Sequence, residues 1–198
     1  MRVAGQKLGP SWEPVVCSRI CSSKQELDDL FARLKTTACP HCKITGALIK
    51  HGFLRGYDQN HQLNTTFRAA QVFCSNRHRA TGCGRTFSVW MADKIKRLFL
   101  SADSLWQFLS NAVGSGNKLQ AFRELNSGLS DSAPYHIWRR FLNAQVAIRT
   151  ALAGLCEPPQ VVSACPAKLT LAHLQKAFSE HPLSPVAAFG AALQRFFF

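Results

Sequence analysis

Four cysteines constrain this chain more than any other feature: Cys39, Cys42, Cys74 and Cys83. Cys39 and Cys42 form the C-x2-C knuckle CPHC, a spacing at which the chain turns back and two thiolates can chelate one tetrahedral ion. Cys74 closes a β-rich run, TTFRAAQVFC. Cys83 opens CGRTF, in which Gly84 permits the tight turn that leaves a knuckle and Phe87 can cover the metal from the next strand. Two knuckles with strands between them follow the plan of a zinc ribbon. The second knuckle is widened to C-x8-C, so SNRHRATG must bulge out as a loop, and His78 competes with a cysteine for a ligand position. His41, inside the first knuckle, is expected to point away from the metal and be exposed. Four thiolates close the coordination sphere, and neither His-x-Glu nor HExxH lies near them. The pattern therefore predicts one structural Zn2+ rather than a catalytic ion.

The remaining cysteines carry less information. Cys17 and Cys21 lack a partner pair, and Cys156 and Cys165 flank a Pro-rich linker at no metal spacing, so all four read as ordinary thiols. The N-terminal run MRVAGQKLGPSWEP lacks the apolar core of a secretory signal, and no apolar run reaches the ~18–20 residues of a membrane span. A cytoplasmic, reducing setting follows as the expectation, with no membrane partner and no disulfide framework.

At 198 residues the chain has room for one mid-sized domain or two to three small ones. Its patterning predicts an α+β chain: a small zinc-ribbon β unit followed by a helical, helix-turn-helix-like domain. Residues 1–37 read as an N-terminal segment with one helix over about 24–36, where Ser23 and Glu26 have capping-box spacing and Leu27, Leu30, Phe31 and Leu34 share a face. Residues 38–92 read as the ribbon, with strands at 47–53, 65–73 and 86–90 separated by turn residues such as GYDQNHQLN. This unit has few residues for a core and needs a staple. Residues 93–156 read as helical from Asp93 onward, with a break near Ser101 and a restart capped by Ser101 or Asp103, a stop at Gly114–Gly116, a short helix around Leu119–Leu125, and a longer one capped by Ser130 or Asp131. Residues 157–198 read as a linker, a helix over about 168–180 and an apolar tail ending in three phenylalanines, which either docks on the core or serves a partner.

The formal net charge is +13, and it is unevenly placed. Residues 39–100 hold 10 basic groups against only Asp58 and Asp93, in the same stretch as the metal-type cysteines. A surplus concentrated this way points to nucleic acid ahead of a merely solvated surface, and duplex DNA is the expected partner. The candidate phosphate contacts are Arg68, Arg77, Arg79, Arg85, Lys94, Lys96 and Arg97. His51 and Phe53 are equally well explained as packing. In a helix-turn-helix the second helix enters the major groove, and here it presents Ser132, Tyr135, His136, Arg139 and Arg140. An ordinary helical hairpin with solvated arginines is the alternative.

The run CPHC…IKHGF…FRAAQVFC…GCGRTFS, followed by LS-x(4)-Y-x(2)-WRRF, resembles the N-terminal zinc ribbon and helix-turn-helix of bacterial insertion-sequence transposases and their small accessory proteins, over about residues 38–150. The resemblance implies zinc binding by Cys39, Cys42, Cys74 and Cys83, and contact with terminal element DNA by the helix bearing Arg139 and Arg140. It also makes a transposase, or a second copy joined through the C-terminal tail, a candidate protein partner. Full-length transposases of this type cut DNA with a carboxylate triad on an α/β fold. After the ribbon this chain offers Asp93, Asp103, Glu124, Asp131, Glu157 and Glu180 in helical or linker sequence, with no run of strands to carry such a triad. A non-catalytic DNA-binding protein is the expectation. A site-specific transcriptional regulator, and an RNA-binding or protein-docking ribbon, are the alternatives.

Overall fold

The computed structural model describes residues 18–60, 63–77, 80–160 and 163–198. Its sheet is built from β1 (Ser18–Cys21), β2 (Leu48–Tyr57), β3 (Thr65–Cys74) and β4 (Thr86–Met91), in the order β1-β4-β3-β2. β2, β3 and β4 pair antiparallel, whereas β1 lies parallel to β4. Helix α1 (Lys24–Ala32) follows β1. After the sheet come α2 (Ala102–Ser115), α3 (Lys118–Arg123), α4 (Ala133–Ala153), α5 (Pro166–Ala177) and α6 (Pro185–Leu193). The α+β class read from the sequence holds, and no described helix is long and apolar enough to cross a membrane.

Because successive strand residues point to opposite faces, the sheet serves two apolar clusters at once. Cys21, Ala70 and Val89 face Leu27, Leu30, Leu34 and the knuckle cysteines Cys39 and Cys74. Their neighbours Ile20, Ala69 and Trp90 face the helical layer, where Leu105, Phe108, Phe141, Leu152, Leu174 and Phe189 are buried. The ribbon and the helices thus share one sheet as a wall, and residues from the N-terminal segment supply its fourth strand.

α1 starts as its sequence predicts. Ser23 Oγ accepts the Glu26 N–H at 3.1 Å, and the Glu26 carboxylate accepts the Ser22 N–H at 2.8 Å, so one orphan donor of the first turn and the N–H just before the cap are satisfied. The Ser101 hydroxyl caps α2 in the same way, accepting the Ser104 N–H at 3.1 Å. Four expectations change. Ser18–Cys21, too short to show a pattern, is a strand. Residues 94–100 form turns and a bridge between Lys94 and Ser101 rather than the expected helix. α4 begins after Ser132 with Pro134 in its first turn and no side-chain cap, while Asp131 pairs with Arg123 instead. The link between α3 and α4, residues 124–132, is longer than the roughly 3–4-residue turn of a helix-turn-helix. These two helices pack on one another, but a helix-turn-helix is not shown.

The apolar tail is part of the core. Phe197 is buried between Phe189 and Phe141, and Phe196 sets its ring edge against Trp90 at 5.5 Å. Just before it, the Gln194 side-chain amide accepts the Ile20 N–H and donates to the Ile20 carbonyl, both at 2.9 Å. One side chain thereby closes part of the open edge of β1, as another strand would.

Candidate metal centre and its basic surroundings

The first knuckle sits in the connection from α1 to β2. Cys39 donates its N–H to the Ile44 carbonyl and accepts from the Lys43 N–H, both at 2.9 Å, and Lys43 takes a left-handed φ of 64° to close the turn. The second knuckle joins the end of β3 to the start of β4. Cys74 donates to the Arg85 carbonyl and accepts from Gly84, both at 2.9 Å, and the Cys83 N–H points at Cys74 Sγ, 3.3 Å away. The two ends of the widened knuckle come back together, with the Gly82 N–H donating to the Ser75 carbonyl at 2.9 Å; residues 78 and 79 between them lie outside the described residues.

Two glycines make that return possible. Gly84 has φ +72°, in the left-handed region that an L side chain enters only with strain. A Cβ on Gly82 would lie 2.7 Å from Cys74 Sγ and overlap the Ser75 carbonyl oxygen. The returning loop can reach the cysteine only without a side chain there. Gly82 was not singled out in the sequence, although the Gly-Cys-Gly run around Cys83 is a signal for it.

The four sulfurs lie within 4.8 Å of one another. Cys39 Sγ is 3.9 Å from Cys83 Sγ, and Cys42 Sγ is 3.7 Å from Cys74 Sγ. Four thiolates at ~2.3 Å from a central zinc stand about 3.8 Å apart at tetrahedral angles, so these separations suit one such ion and no disulfide. The Ile44 N–H, aided by the neighbouring cysteines, holds the Cys42 thiol down at about 7. Burial pushes Cys74 up to about 12. At neutral pH only part of the set is ready as thiolate, and a divalent cation that brings all four to that state must displace protons. Cys39 and Cys74 are buried beside Leu48, Val72 and Phe87, while Cys42 and Cys83 are half-buried. This arrangement matches a structural site, with no open position for substrate. Residue 78 lies outside the described residues, and the four sulfurs converge without it. His41 is half-buried rather than exposed and is not among the converging ligands. Cys21 is a core thiol that burial raises to about 11, Cys165 is exposed, and Cys17 lies outside the described residues.

The basic candidates separate into distinct groups. Arg68 is corrected: it is 7% exposed, its guanidinium donates to the Ile95 and Leu98 carbonyls, and it ties the sheet to the following turn. It occupies the unpaired position of a β-bulge, since Leu54 pairs with Ala69 and Arg55 with Phe67. Its charge is therefore spent internally. Lys94 is half-buried and pairs with Asp93 at 2.8 Å. Arg77 and Arg85 are exposed beside the second knuckle, with Arg77 stacked over Phe73, and Arg79 lies outside the described residues. Lys96 sits over the Phe196 ring at 4.9 Å. Tyr135, His136 and Arg139 are exposed along the first turns of α4. Arg140 donates to the Arg97 carbonyl at 3.3 Å and stacks on Phe198, so the structure brings Arg97 and Arg140 together. Partial burial and the Arg97 charge both lower the Arg140 pKa, and neither arginine has an ion-pair partner among the described residues.

No protein family, curated protein or solved structure matches the chain. What it is thus rests on its own residues: an α+β protein whose sheet carries a four-cysteine centre able to hold one metal ion.

Proposed function

We propose that this is a zinc-dependent DNA-binding protein of transposon type, without a catalytic domain of its own, that holds duplex DNA through its basic ribbon and the N-terminal half of α4. Zinc at Cys39, Cys42, Cys74 and Cys83 is the structural staple. Arg77 and Arg85 grip phosphates beside the second knuckle. Tyr135, His136, Arg139 and Arg140 form the reading face, in the role the second helix of a helix-turn-helix plays.

One observation carries the reading. Arg140 donates to the backbone carbonyl of Arg97 in the turn ahead of α2, the Arg97 charge acts on it, and neither arginine has an acidic partner among the described residues. Holding two cations together costs free energy in the isolated protein, and a phosphate backbone crossing the joint between sheet and α4 would recover it. The surplus of the surrounding segment, 10 basic groups against two acids, acts in the same direction.

The test couples metal analysis to duplex binding. The expected result is one zinc per chain, with Cys39→Ser losing both zinc and duplex binding. If about six phosphates are engaged, affinity falls about 10³-fold between roughly 50 and 200 mM salt. Arg97→Ala with Arg140→Ala lowers the slope of log affinity against log salt by about two. A folded, metal-free protein that still bound duplex DNA would refute the reading.

A further inference from the structure

On the α1 side of the sheet a second site lies apart from the metal. α1 is short, and its buried residues Leu27 and Leu30 cover only part of this face. Beyond them a groove of about 470 Å³ opens between α1 and the hairpin of β2 and β3, walled by Lys24, Asp28, Phe31, Lys50, Phe53 and Phe67. That volume falls in the ~300–1,000 Å³ range of ligand sites.

The groove is aromatic by construction. The β2–β3 ladder shifts register twice, leaving residues 51 and 68 without partners, and across the second shift Phe53 and Phe67 meet edge to face at 5.6 Å. Bulges re-aim side chains in this way. Phe53 remains 50% exposed. Lys50 Nζ stands 4.7 Å from the Phe31 ring centroid and 4.8 Å from that of Phe53, between two ring faces rather than beside an acid. Lys24 opens α1 at the rim, and neither lysine has an ion-pair partner among the described residues. Asp28 is the one acid on the wall.

We infer that this groove binds an unpaired nucleobase of a single-stranded nucleic-acid segment, stacked on Phe53 with its phosphates held by Lys24 and Lys50. Each wall group has a use in such a complex. A base has a π-face for an exposed ring and an adjoining anion for a lysine, which is the pairing that non-sequence-specific single-strand binders employ. Lys50 now occupies the space over the rings as their cation, and a phosphate draws it off while the base takes its place. Asp28 supplies an acceptor for an exocyclic amino group, as carboxylates do for cytosine. An apolar protein side chain would use the rings but leave both lysines without a counter-charge, so charge complementarity favours the nucleic acid. The inference rests on the nucleic-acid reading above and adds a strand state, because a paired base inside a duplex cannot reach the groove.

Fluorescence anisotropy with the zinc-loaded full chain tests this, using three probes: a blunt duplex, the same duplex with an unpaired extension, and the single strand alone. The extended duplex is expected to bind roughly 5- to 150-fold more tightly than the blunt one, the range of one stacked base. Phe53→Leu keeps an apolar side chain but removes the π-face, so it should abolish that gain while leaving blunt-duplex affinity unchanged. Phe53→Trp should keep or enlarge it. Equal affinity for blunt and extended duplexes, or a gain that survives Phe53→Leu, overturns the groove assignment while leaving duplex binding standing. Absence of binding to all three probes overturns the nucleic-acid reading itself.

Discussion

Gly82→Ala tests the metal centre at a position that no ligand count would identify. The added Cβ would lie 2.7 Å from Cys74 Sγ and overlap the Ser75 carbonyl, whose oxygen already accepts the Gly82 N–H. Nonbonded contacts settle at about 3.5–4.0 Å, so one side must retreat by about 1 Å. A metal site tolerates about 0.2 Å in its ligand distances. Neither partner can yield cheaply: Cys74 ends β3 with its N–H and carbonyl both bonded to the β4 side, and the Ser75 N–H is bonded to Ala47. Overpacking of this kind costs about 1–3 kcal/mol. If that strain falls on the loaded site, zinc affinity drops about 5- to 150-fold. Competition against a chromophoric chelator measures the affinity, and thermal melts with and without chelator measure the coupling to folding. Gly114→Ala is the control. It lies in α2 with nothing within 4 Å of its added Cβ, and should stabilise the protein by about 0.5–1 kcal/mol. Wild-type zinc affinity and melting temperature in Gly82→Ala would show that the loop does not pin Cys74, and the account of the second knuckle would fail.

Further expectations concern the metal, the edge strand and the core. Zinc binding should release protons and strengthen as pH rises through about 7, because below that pH zinc must displace a proton from Cys42 as well as from Cys74; a pH-independent affinity in the same chelator assay contradicts this. Cys165→Ser, at an exposed thiol, should leave the zinc content at wild type, whereas Cys42→Ser should not, as read by metal analysis of the purified variants. Gln194→Ala removes the two-bond clamp on Ile20 and should lower unfolding free energy in urea by about 1–3 kcal/mol; no change would mean that water replaces the amide without cost. Phe197→Ala should cost about 3–5 kcal/mol in the same experiment, since the ring is buried against Phe141 and Phe189, and a near-neutral effect would argue against the docked tail.

Local chemistry was legible without coordinates. The C-x2-C knuckle, the three ribbon strands and the Ser23 cap are each specified by residues a few positions apart, and the structure has all of them; of the two caps open for α2, Ser101 and Asp103, it uses Ser101. Strand ends moved outward, with β2 running on to Tyr57, because ladder pairing with β3 extends beyond the apolar run that announces it. β1 was missed because SRIC is four residues long, and it is a strand through its pairing with β4. Arg68 was misplaced because composition counts a charge but cannot show that a bulge points it inward at two carbonyls.

By itself, the sequence determined that four cysteines could share one ion and that most of the positive charge surrounds them, since spacing and composition are properties of the chain alone. Only the tertiary structure decided which cations remain free, that the final phenylalanines close the core, and that Phe31, Phe53 and Phe67 meet around Lys50. Those outcomes depend on contacts between residues far apart in the chain. Burial, pairing and register set them jointly, and no local window contains that information.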